Sequence, residues 1–454
     1  MNEMKSRRIL GFPDEFWIGF VIMIGIFLKL VYNVSVGYEV CGHNPGEWTA
    51  IINDIPNGGH IGYIQYLYVY HRLPSFDPSL IPGYTQQPLF YIFSAVVLQI
   101  FHGFMGWNLG SVLHCIQCVN FVFVLVGTFS GVGILGRMGV KGRKKVMLLL
   151  FLMFYPGLYN LGAALDNTPM AFMFGMLAMG KALKWYETRK RGVAISCGVM
   201  LGMALMAKFS AFVVIFPIGA LFVLARFYDR RGSDKVLYQH MGLVAGISLP
   251  MGLWYPIRNL VKFGTSPFYT VPEAAVWQDV SGYSFFQRLR LPKLEELSQL
   301  HLTPNTFYEY NIWSQTFKTT VVDEYALNVE NVGPHFLAVF LVVSVIFFAI
   351  LALVMLVQTL TANRMQFENK IFVLTGTVVF FVIYIIHCFA NPTVSAMNAR
   401  EIPFMIFFLC IGVGMCGSAT PRDTIFEKVT TYMAHMLIVV ISMLSAFLFG
   451  FYAI

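Results

Sequence analysis

Two acidic residues in polar stretches have the chemistry to activate a hydroxyl group. Asp54 lies in NDIPNGGH, where Asn57 and His60 follow it, and Asp166 lies in LDNTP. A carboxylate beside an alcohol acts as a general base, because it accepts the proton as the oxygen attacks. At Asp166 a structural role competes, since the NTP that follows is typical of a helix start. Asp54 precedes no helix that it would cap, whereas a lone histidine is more often structural.

Basic residues at the ends of apolar runs supply the complementary charge. Lys208, Arg258 and Arg400 each stand at such an end, and Lys29 lies within the first apolar run. A charge at membrane depth costs about 2.5–3.5 kcal/mol on insertion scales, so it normally faces a cavity or a partner. Arg binds a phosphate through paired hydrogen bonds and Lys as a point charge. Anchoring at the membrane interface is the competing role for these side chains.

Carboxylates that face fixed cations form a site for group transfer from a phosphate. The base activates the acceptor, and the cations stabilise the charge that develops on the departing phosphate. A phosphate at the boundary of water and lipid, attached to an apolar chain, is a polyprenyl phosphate. The aromatic row Tyr63, Tyr66, Tyr68 and Tyr70 suits either a sugar face or an interfacial belt, which is the commoner use.

This chemistry requires no cofactor. A divalent metal is permitted but not indicated, because Asp54, His60 and His71 share a loop with a spacing that is not diagnostic. Cys115 and Cys118 have CxxC spacing without a second pair, which in an apolar run indicates the packing of small residues. A nucleotide-sugar donor is disfavoured, since the sequence has no GxGxxG after a strand, no Walker motif and no DxD on the predicted cytoplasmic face.

The elements that position these residues are membrane spans. Hydrophobic residues make up 57% of the 454 residues and charged residues 12%, against roughly 25% charged in a soluble domain. A span takes about 20 mostly apolar residues, and the first run is too long for a signal-peptide core. About eleven spans are predicted, or twelve if 88–104 also crosses: roughly 15–33, 110–135, 143–163, 168–186, 192–207, 209–228, 238–258, 335–360, 371–390, 401–418 and 431–453.

Basic loops set the predicted orientation. MKSRR, GRKK, ETRKR and RFYDRRGSDK all fall on the cytoplasmic side if the N-terminus is inside. The net charge of +8 therefore reflects topology and does not indicate nucleic-acid binding. Segment 88–104 breaks the pattern if it spans, so it is predicted to dip in and return or to line a cavity. The chain, 1–454, is predicted to be one all-α polytopic membrane domain with external loops at 34–87 and 260–333.

Several stretches, in chain order, resemble the GT-C glycosyltransferases. NDIPNGGHIGYIQYLYVYHRLPSFDP and then QQPLFY resemble the first external loop of the protein O-mannosyltransferases and bacterial aminoarabinose transferases, a group similar to glycosyltransferase family 39. Gln87 replaces the first proline of a PPLYY-like motif. LDNTP, MAKFSAF, LWYPIRNLVKFGTSPFY, YNIWSQTFKTTVVDEY and MNAREIPF resemble later motifs, the last with Ala399 and Glu401 in place of aromatic residues.

The resemblance implies a GT-C-like bundle that transfers one sugar, with inversion, from a polyprenyl-phosphate carrier to an unidentified hydroxyl acceptor. Asp54 is then the catalytic base, and Lys208, Arg258 and Arg400 contact the donor phosphate. The remaining candidates shape the site or the acceptor end: Asp166, His60, Asn57, Tyr63 and Gln87. The loops are typical of a bacterial plasma-membrane protein with an extracytoplasmic active site, and a eukaryotic origin moves the same topology to the endoplasmic reticulum.

Two other functions stay open from the sequence. A transporter or flippase of a lipid-linked or small polar solute accounts for the spans and their charges. Against it, no two matching halves with broken helices are evident, and the polar groups gather at one face. A non-catalytic partner of an enzyme is the other. Consumption of a polyprenyl-phosphate sugar by purified protein that is inert toward nucleotide sugars separates the three.

Overall fold

A computed structural model describes residues 8–9, 12–39, 41–42, 46–51, 56–228, 234–266, 278–300, 310–324, 332–362, 365–416 and 424–452. Within them the regular secondary structure is helical except for one antiparallel pair of two-residue strands, β1 (Arg8–Ile9) and β2 (Phe12–Pro13). The helices are α1 (Asp14–Ser35), α2 (Gly59–Tyr70), α3 (Leu89–Leu98), α4 (Leu109–Arg137), α5 (Arg143–Phe154), α6 (Pro156–Ala163), α7 (Thr168–Thr188), α8 (Arg191–Ala207), α9 (Ile215–Phe227), α10 (Asp234–Phe263), α11 (Phe285–Leu289), α12 (Leu294–Ser298), α13 (Ile312–Val322), α14 (Val332–Thr361), α15 (Phe367–Ala390), α16 (Met405–Met415) and α17 (Ile425–Tyr452).

The protein is a multi-pass membrane protein. Among the described residues seven helices are long and apolar enough to cross a membrane, and the bent pair α5–α6 makes eight if it is one span. Six of the seven are α1, α4, α10, α14, α15 and α17. The seventh is the run Phe209–Phe227, which contains α9. The three other predicted spans form the helices α7, α8 and α16, which are not among the eight, so the number eleven stays a prediction. Segment 88–104 holds a shorter apolar helix, Leu89–Phe104.

The break between α5 and α6 comes from a proline at the first helical position. Pro156 lacks the amide hydrogen that would continue α5, and Tyr155 before it is extended, so the two helices meet at 46°. Asn160 on α6 then donates to the carbonyl oxygens of Thr320 and Val321 at 3.1 and 3.3 Å. This contact fixes the end of α13, a short helix in the predicted second external loop, against the bundle.

The basic connections meet at one end of the bundle. Arg137 at the end of α4 pairs with Glu187 near the end of α7 at 2.6 Å. Lys144 at the start of α5 donates to the carbonyl of Cys416, just past the end of α16. Tyr228 after α9 packs on Phe367 at the start of α15, with ring centroids 4.5 Å apart. The turn between α6 and α7, the residue after α8 and the connection from α15 to α16 therefore lie at the other end.

The aromatic row of the first external loop forms a small core and not a surface. Tyr63 and Tyr66 on α2 are 0% and 3% exposed. The Tyr63 ring stacks between those of Tyr84 and Tyr91, with centroids 4.6 and 4.4 Å away. An interfacial belt or an open sugar face needs exposed rings, so neither expectation holds for Tyr63 and Tyr66. The hydroxyl groups of Tyr63, Tyr84 and Tyr91 find partners within the protein, as buried tyrosines require.

Candidate active site

Asp166 lies in the turn between α6 and α7 and has two roles. Its Oδ1 accepts the amide hydrogen of Thr168 at 2.7 Å, so the predicted capping of the next helix is present. Its Oδ2 lies 3.6 Å from Nη1 of Arg400. The side-chain amide of Asn120 on α4 donates to the carbonyl oxygens of Ala164 and Asp166 at 2.8 and 3.0 Å. The turn is thus fixed with a buried carboxylate facing a guanidinium.

Arg400 is the cation at the centre of the site. It lies in a 3₁₀ turn, Ala399–Glu401, that begins where the side chain of Asn398 accepts the Arg400 amide hydrogen at 3.0 Å. The side chain is only 10% exposed, and its Nη2 lies 3.7 Å from Oε2 of Glu324. Within the described part of the chain neither Nη1 nor Nη2 has a hydrogen-bond acceptor. A buried guanidinium of this kind has N–H groups that can donate hydrogen bonds to an oxyanion.

Two acidic residues after α13, Asp323 and Glu324, complete this part of the site. Asp323 has φ 54° and ψ −163°, a conformation that is otherwise almost confined to glycine. Its carboxylate accepts the amide hydrogens of Glu324 at 2.8 Å and of Gly42 at 3.1 Å. The side chain of Asn398 donates to Glu324 at 3.3 Å. Sequence reasoning missed both acids, although they stand in the quoted stretch YNIWSQTFKTTVVDEY.

Burial raises the pKa of both acids. Loss of hydration, with repulsion from Glu324 next, raises the pKa of Asp323 from 3.8 to about 7. Loss of hydration likewise raises the pKa of Glu324 from 4.5 to about 8, although a hydrogen bond from Asn398 opposes the change. Two of the three carboxylates here, those of Asp166 and Glu324, lie 3.6 and 3.7 Å from the guanidinium of Arg400, and Asp323 is close enough to Glu324 and Asp166 for their charges to act on it. Protons on two of them relieve the excess of negative charge near neutral pH.

A second ion pair lies beside the first. Lys208, at the predicted junction after α8, donates to Glu401 at 2.8 Å and to the Thr168 hydroxyl at 3.2 Å. Burial alone would raise the pKa of Glu401, but the positive charges around it, Lys208 foremost, lower that pKa to about 2. Sequence reasoning noticed Glu401 only as a replacement for an aromatic residue. Lys208 therefore already has a carboxylate partner, and its contact with the donor phosphate stays a prediction.

His60 and Tyr63 link the site to the aromatic core. Nδ1 of His60 lies 2.6 Å from the Tyr91 hydroxyl, and the two rings stack. Burial lowers the pKa of His60, and Asp166, Lys208 and Glu401 are close enough for their charges to act on it. The Tyr63 hydroxyl lies 3.0 Å from that of Tyr255 on α10. The predicted structural role of His60 is thus present beside the ion pairs.

Three other predicted site residues make contacts away from the ion pairs. Nη2 of Arg258 donates to the carbonyl oxygen of Pro74 at 2.5 Å. The amide of Gln87 donates to the carbonyl of Gly252 at 3.0 Å. Asn57 joins the loop around Thr49 to α2, with its amide 2.9 Å from the Thr49 carbonyl and 2.7 Å from the side chain of Gln65. These contacts hold the first external loop on α10 and α2, and they do not exclude a further role.

Asp54, the predicted base, lies outside the described residues, so its role stays a prediction. The described part of its loop does reach the ion pairs. A Cβ on Gly42 would lie 3.6 Å from Oδ2 of Asp166 and 3.7 Å from Nη1 of Arg400. Among the described residues no group of three or more His, Cys, Asp and Glu side chains is arranged to hold a metal ion.

A cavity of about 570 Å³ begins at Arg400 and runs between helices. Its walls come from α6, α13, α14, α15 and α16 and are mostly apolar, while its charged residues are Asp166, Asp323 and Arg400. The wall includes Ile350 on α14 and Phe381 on α15, whose side chains are 55% and 46% exposed on candidate spans. The cavity therefore connects the buried charges with the lipid-facing surface. That shape fits a molecule with a charged head and an apolar tail.

Comparisons with known proteins agree with the fold. No protein-family model matches the chain, and no curated protein matches it in sequence. The fold is similar to that of ArnT from Cupriavidus metallidurans bound to undecaprenyl phosphate, with a TM-score of 0.53 and 12% identity over 96% of this chain and 76% of that one. The apo state of the same protein gives 0.42 at 12% identity, over 94% and 77%. The predicted all-α, multi-pass architecture is confirmed, and its fold is similar to that of ArnT; the GT-C assignment stays a prediction.

Proposed function

We propose that this protein is a membrane glycosyltransferase. It moves a sugar from a polyprenyl-phosphate donor to a hydroxyl acceptor, with inversion at the anomeric carbon, on the non-cytoplasmic side. Two features support the proposal. The buried ion pairs adjoin a cavity that reaches lipid, and the ArnT structure with a similar fold holds undecaprenyl phosphate. The sugar and the acceptor are left open.

The observation that carries the proposal is the unused hydrogen-bonding capacity of Arg400. Its two terminal nitrogens are buried and lack acceptors among the described residues, and they lie at the start of an apolar cavity. A phosphate monoester or diester provides the acceptor oxygens, and an attached hydrocarbon chain fills the apolar walls. A free sugar or a soluble nucleotide has no apolar tail for those walls. The donor is therefore a lipid phosphate.

Arg400 is the principal phosphate ligand in this proposal, and Lys208 is a secondary one. Lys208 is held by Glu401 at 2.8 Å, so it reaches a phosphate only by exchanging that carboxylate. Arg258 contacts Pro74 and the aromatic core, which gives it a positioning role in the first external loop. This ranking reverses the one suggested by the sequence, in which Arg258 and Lys208 came before Arg400.

The transfer step needs one base and an electrostatic clamp. The acceptor oxygen attacks the anomeric carbon as Asp54 takes its proton, and a new carbon–oxygen bond forms. The bond from that carbon to the phosphate oxygen breaks, and the polyprenyl phosphate leaves with the electron pair. Arg400 stabilises the charge on the departing phosphate. A phosphate leaves without protonation, so the second carboxylate of a glycosidase has no counterpart here.

The test compares Asp54→Asn and Arg400→Gln with Arg72→Gln, which alters an exposed arginine in the first external loop. We expect Asp54→Asn to abolish transfer while the protein still binds polyprenyl phosphate. Arg400→Gln removes charge-assisted hydrogen bonds worth about 1.5–3 kcal/mol, so binding of polyprenyl phosphate weakens by roughly ten- to a hundredfold. The measurements are turnover of a polyprenyl-phosphate sugar and equilibrium binding of the lipid phosphate.

Two outcomes overturn the proposal. Turnover by Asp54→Asn at the rate of the unaltered protein would show that Asp54 is not the catalytic base. Equal affinity of Arg400→Gln and Arg72→Gln for polyprenyl phosphate would show that Arg400 does not bind the phosphate. Movement of an intact lipid-linked sugar across a vesicle membrane, with no transfer to any hydroxyl, supports the transporter instead.

A further inference from the structure

Residues 285–294, here called the lip segment, have the reverse of the usual distribution of polarity. The side chain of Arg288 is 2% exposed, whereas Phe286, Leu291 and Leu294 are 81%, 83% and 70% exposed. In water, burial of a charge together with exposure of large apolar side chains is unfavourable on both counts. Such an arrangement suits a segment whose outer side is in contact with hydrocarbon.

The lip segment is firmly attached, so its exposed side chains are not the result of detachment. Nη2 of Arg288 donates to the carbonyl of Cys388 at 2.8 Å, and its guanidinium lies 4.6 Å from the ring centre of Phe389. The indole of Trp313 donates to the carbonyl of Leu289 at 3.0 Å. These contacts fasten the segment to the last turn of α15 and the first turn of α13. Phe286, Leu291 and Leu294 stay exposed although the segment is held in place.

The exposed side chains continue a surface that already faces lipid. Cys388 and Phe389 belong to α15, a candidate span whose Val382 and Ile386 are 47% and 59% exposed. Leu291 lines the same cavity as Val382. The lip segment thus lies at the outer end of that span, at the point where the cavity opens between α14 and α15.

We propose that the lip segment inserts Phe286, Leu291 and Leu294 into the hydrocarbon of the membrane leaflet at the end of the bundle that holds the ion pairs. The charged side chains of the adjoining helix α12, such as exposed Glu295, stay at the polar boundary, as in interfacial helices. Leu291 forms the rim past which a hydrocarbon tail enters the cavity. Only this last point depends on the proposed function, and the insertion does not.

Spin labels on single cysteines in phosphatidylcholine vesicles test the insertion. The background carries Cys115→Ser and Cys118→Ser, because the other five cysteines are buried. Leu291→Cys and Phe286→Cys are compared with Glu295→Cys, the matched control from the same surface. We expect labels at 286 and 291 to collide several-fold more with oxygen, which dissolves in lipid, than with a water-soluble nickel chelate. The label at 295 is expected to collide more with the nickel chelate than with oxygen. More frequent collisions with the nickel chelate than with oxygen at both 286 and 291 overturn the proposal.

A second arm tests the rim. Leu291→Asp is expected to raise the KM for a long-chain polyprenyl-phosphate donor several-fold and to leave the KM for a short water-soluble analogue unchanged, while Glu295→Gln changes neither. An equal change in KM for both donors contradicts the role of Leu291 at the rim of the cavity. If the labels at 286 and 291 lie in lipid but the protein transfers no sugar, the insertion is supported and the proposed function is contradicted. A failure of the insertion can therefore be told apart from a failure of the proposed function.

Discussion

The conformation of Gly42 places the first external loop beside Asp323, Asp166 and Arg400. Its φ of +95° is a conformation that L side chains rarely adopt, and its amide hydrogen donates to Asp323. An added Cβ would lie 3.3 Å from Cβ of Ala164 and close to Asp166 and Arg400. The first external loop therefore passes the ion pairs in a left-handed conformation that favours glycine, with room for a methyl group only if Ala164 shifts slightly.

We expect Gly42→Ala to lower the stability by about 1–2 kcal/mol through the left-handed backbone alone and, in addition, to weaken binding of polyprenyl phosphate. Gly139→Ala is the control, since Gly139 has φ +98° with no atom within 4 Å of an added Cβ. It has the same backbone cost without the contacts at the site. Thermal unfolding and lipid-phosphate binding are measured for both. Lipid binding that is equally intact in the two variants would show that the approach of Gly42 is unimportant to the site.

The buried acids after α13 predict how stability depends on pH. The folded-state pKa values of Asp323 and Glu324, about 7 and about 8, lie above their ordinary values of 3.8 and 4.5. The folded state then holds more protons than the unfolded state between those limits, so the stability from these groups is complete below about pH 4 and is lost as the pH rises through about 8. Glu401 has the opposite sign, because its lowered pKa makes its contribution fall below about pH 4.5.

We therefore expect the midpoint of thermal unfolding in detergent to fall between about pH 5 and pH 8.5, and Glu324→Gln to flatten that fall because the amide does not titrate. Glu401→Gln serves as the control, since it lowers the midpoint at neutral pH but keeps the fall between pH 5 and pH 8.5 that Asp323 and Glu324 produce. A midpoint that is constant over this range in the unaltered protein, or an unchanged slope in Glu324→Gln, contradicts the assignment.

At the scale of elements, the Lys208–Glu401 pair joins the junction after α8 to the connection between α15 and α16. Its side chains are 12% and 17% exposed. Removing one partner of such a pair leaves a poorly hydrated charge and costs about 1–3 kcal/mol. Removing both together leaves no lone charge, so the double change is expected to cost less than the sum of the single ones.

We expect Glu401→Gln to lower the unfolding midpoint yet tighten the binding of polyprenyl phosphate, by up to roughly tenfold, or about 1.4 kcal/mol, because Lys208 is released to the phosphate. Lys208→Met in the same background should cancel the gain, and Lys208→Met alone serves as the reference. Unchanged lipid affinity in Glu401→Gln means that Lys208 does not take part in phosphate binding.

The sequence predicts elements better than it predicts their pairing. Apolar runs locate the helices at each predicted span, and the end of α8 before Lys208 and the capping by Asp166 follow from local signals. The partners of these residues do not follow, since Lys208 and Glu401 are 193 residues apart and Gly42 and Asp323 are 281 apart. Helix α13 was missed because its buried side chains include polar residues such as Gln315 and Thr319, so it lacks the apolar pattern that identifies a core helix.

At the scale of the whole molecule, charge divides the bundle into two ends. One end gathers the basic connections through Arg137–Glu187 and the contact of Lys144 with Cys416, and the other holds the buried ion pairs. Positive residues stay in the cytoplasm during insertion. On this rule we expect the proposed site to face away from the cytoplasm, with its acceptor on the same side.

This orientation predicts the labelling of single cysteines by a membrane-impermeant maleimide in the Cys115→Ser, Cys118→Ser background. Leu80, 74% exposed in the first external loop, marks the end with the ion pairs, because Asp77 beside it accepts from Thr265 just after α10. Exposed Lys141, between α4 and α5, marks the basic end. We expect Leu80→Cys to react in intact cells and Lys141→Cys only after permeabilisation. The reverse pattern puts the ion pairs in the cytoplasm, where the proposed extracytoplasmic transfer is impossible, and reaction of both in intact cells contradicts the division of the bundle into two ends.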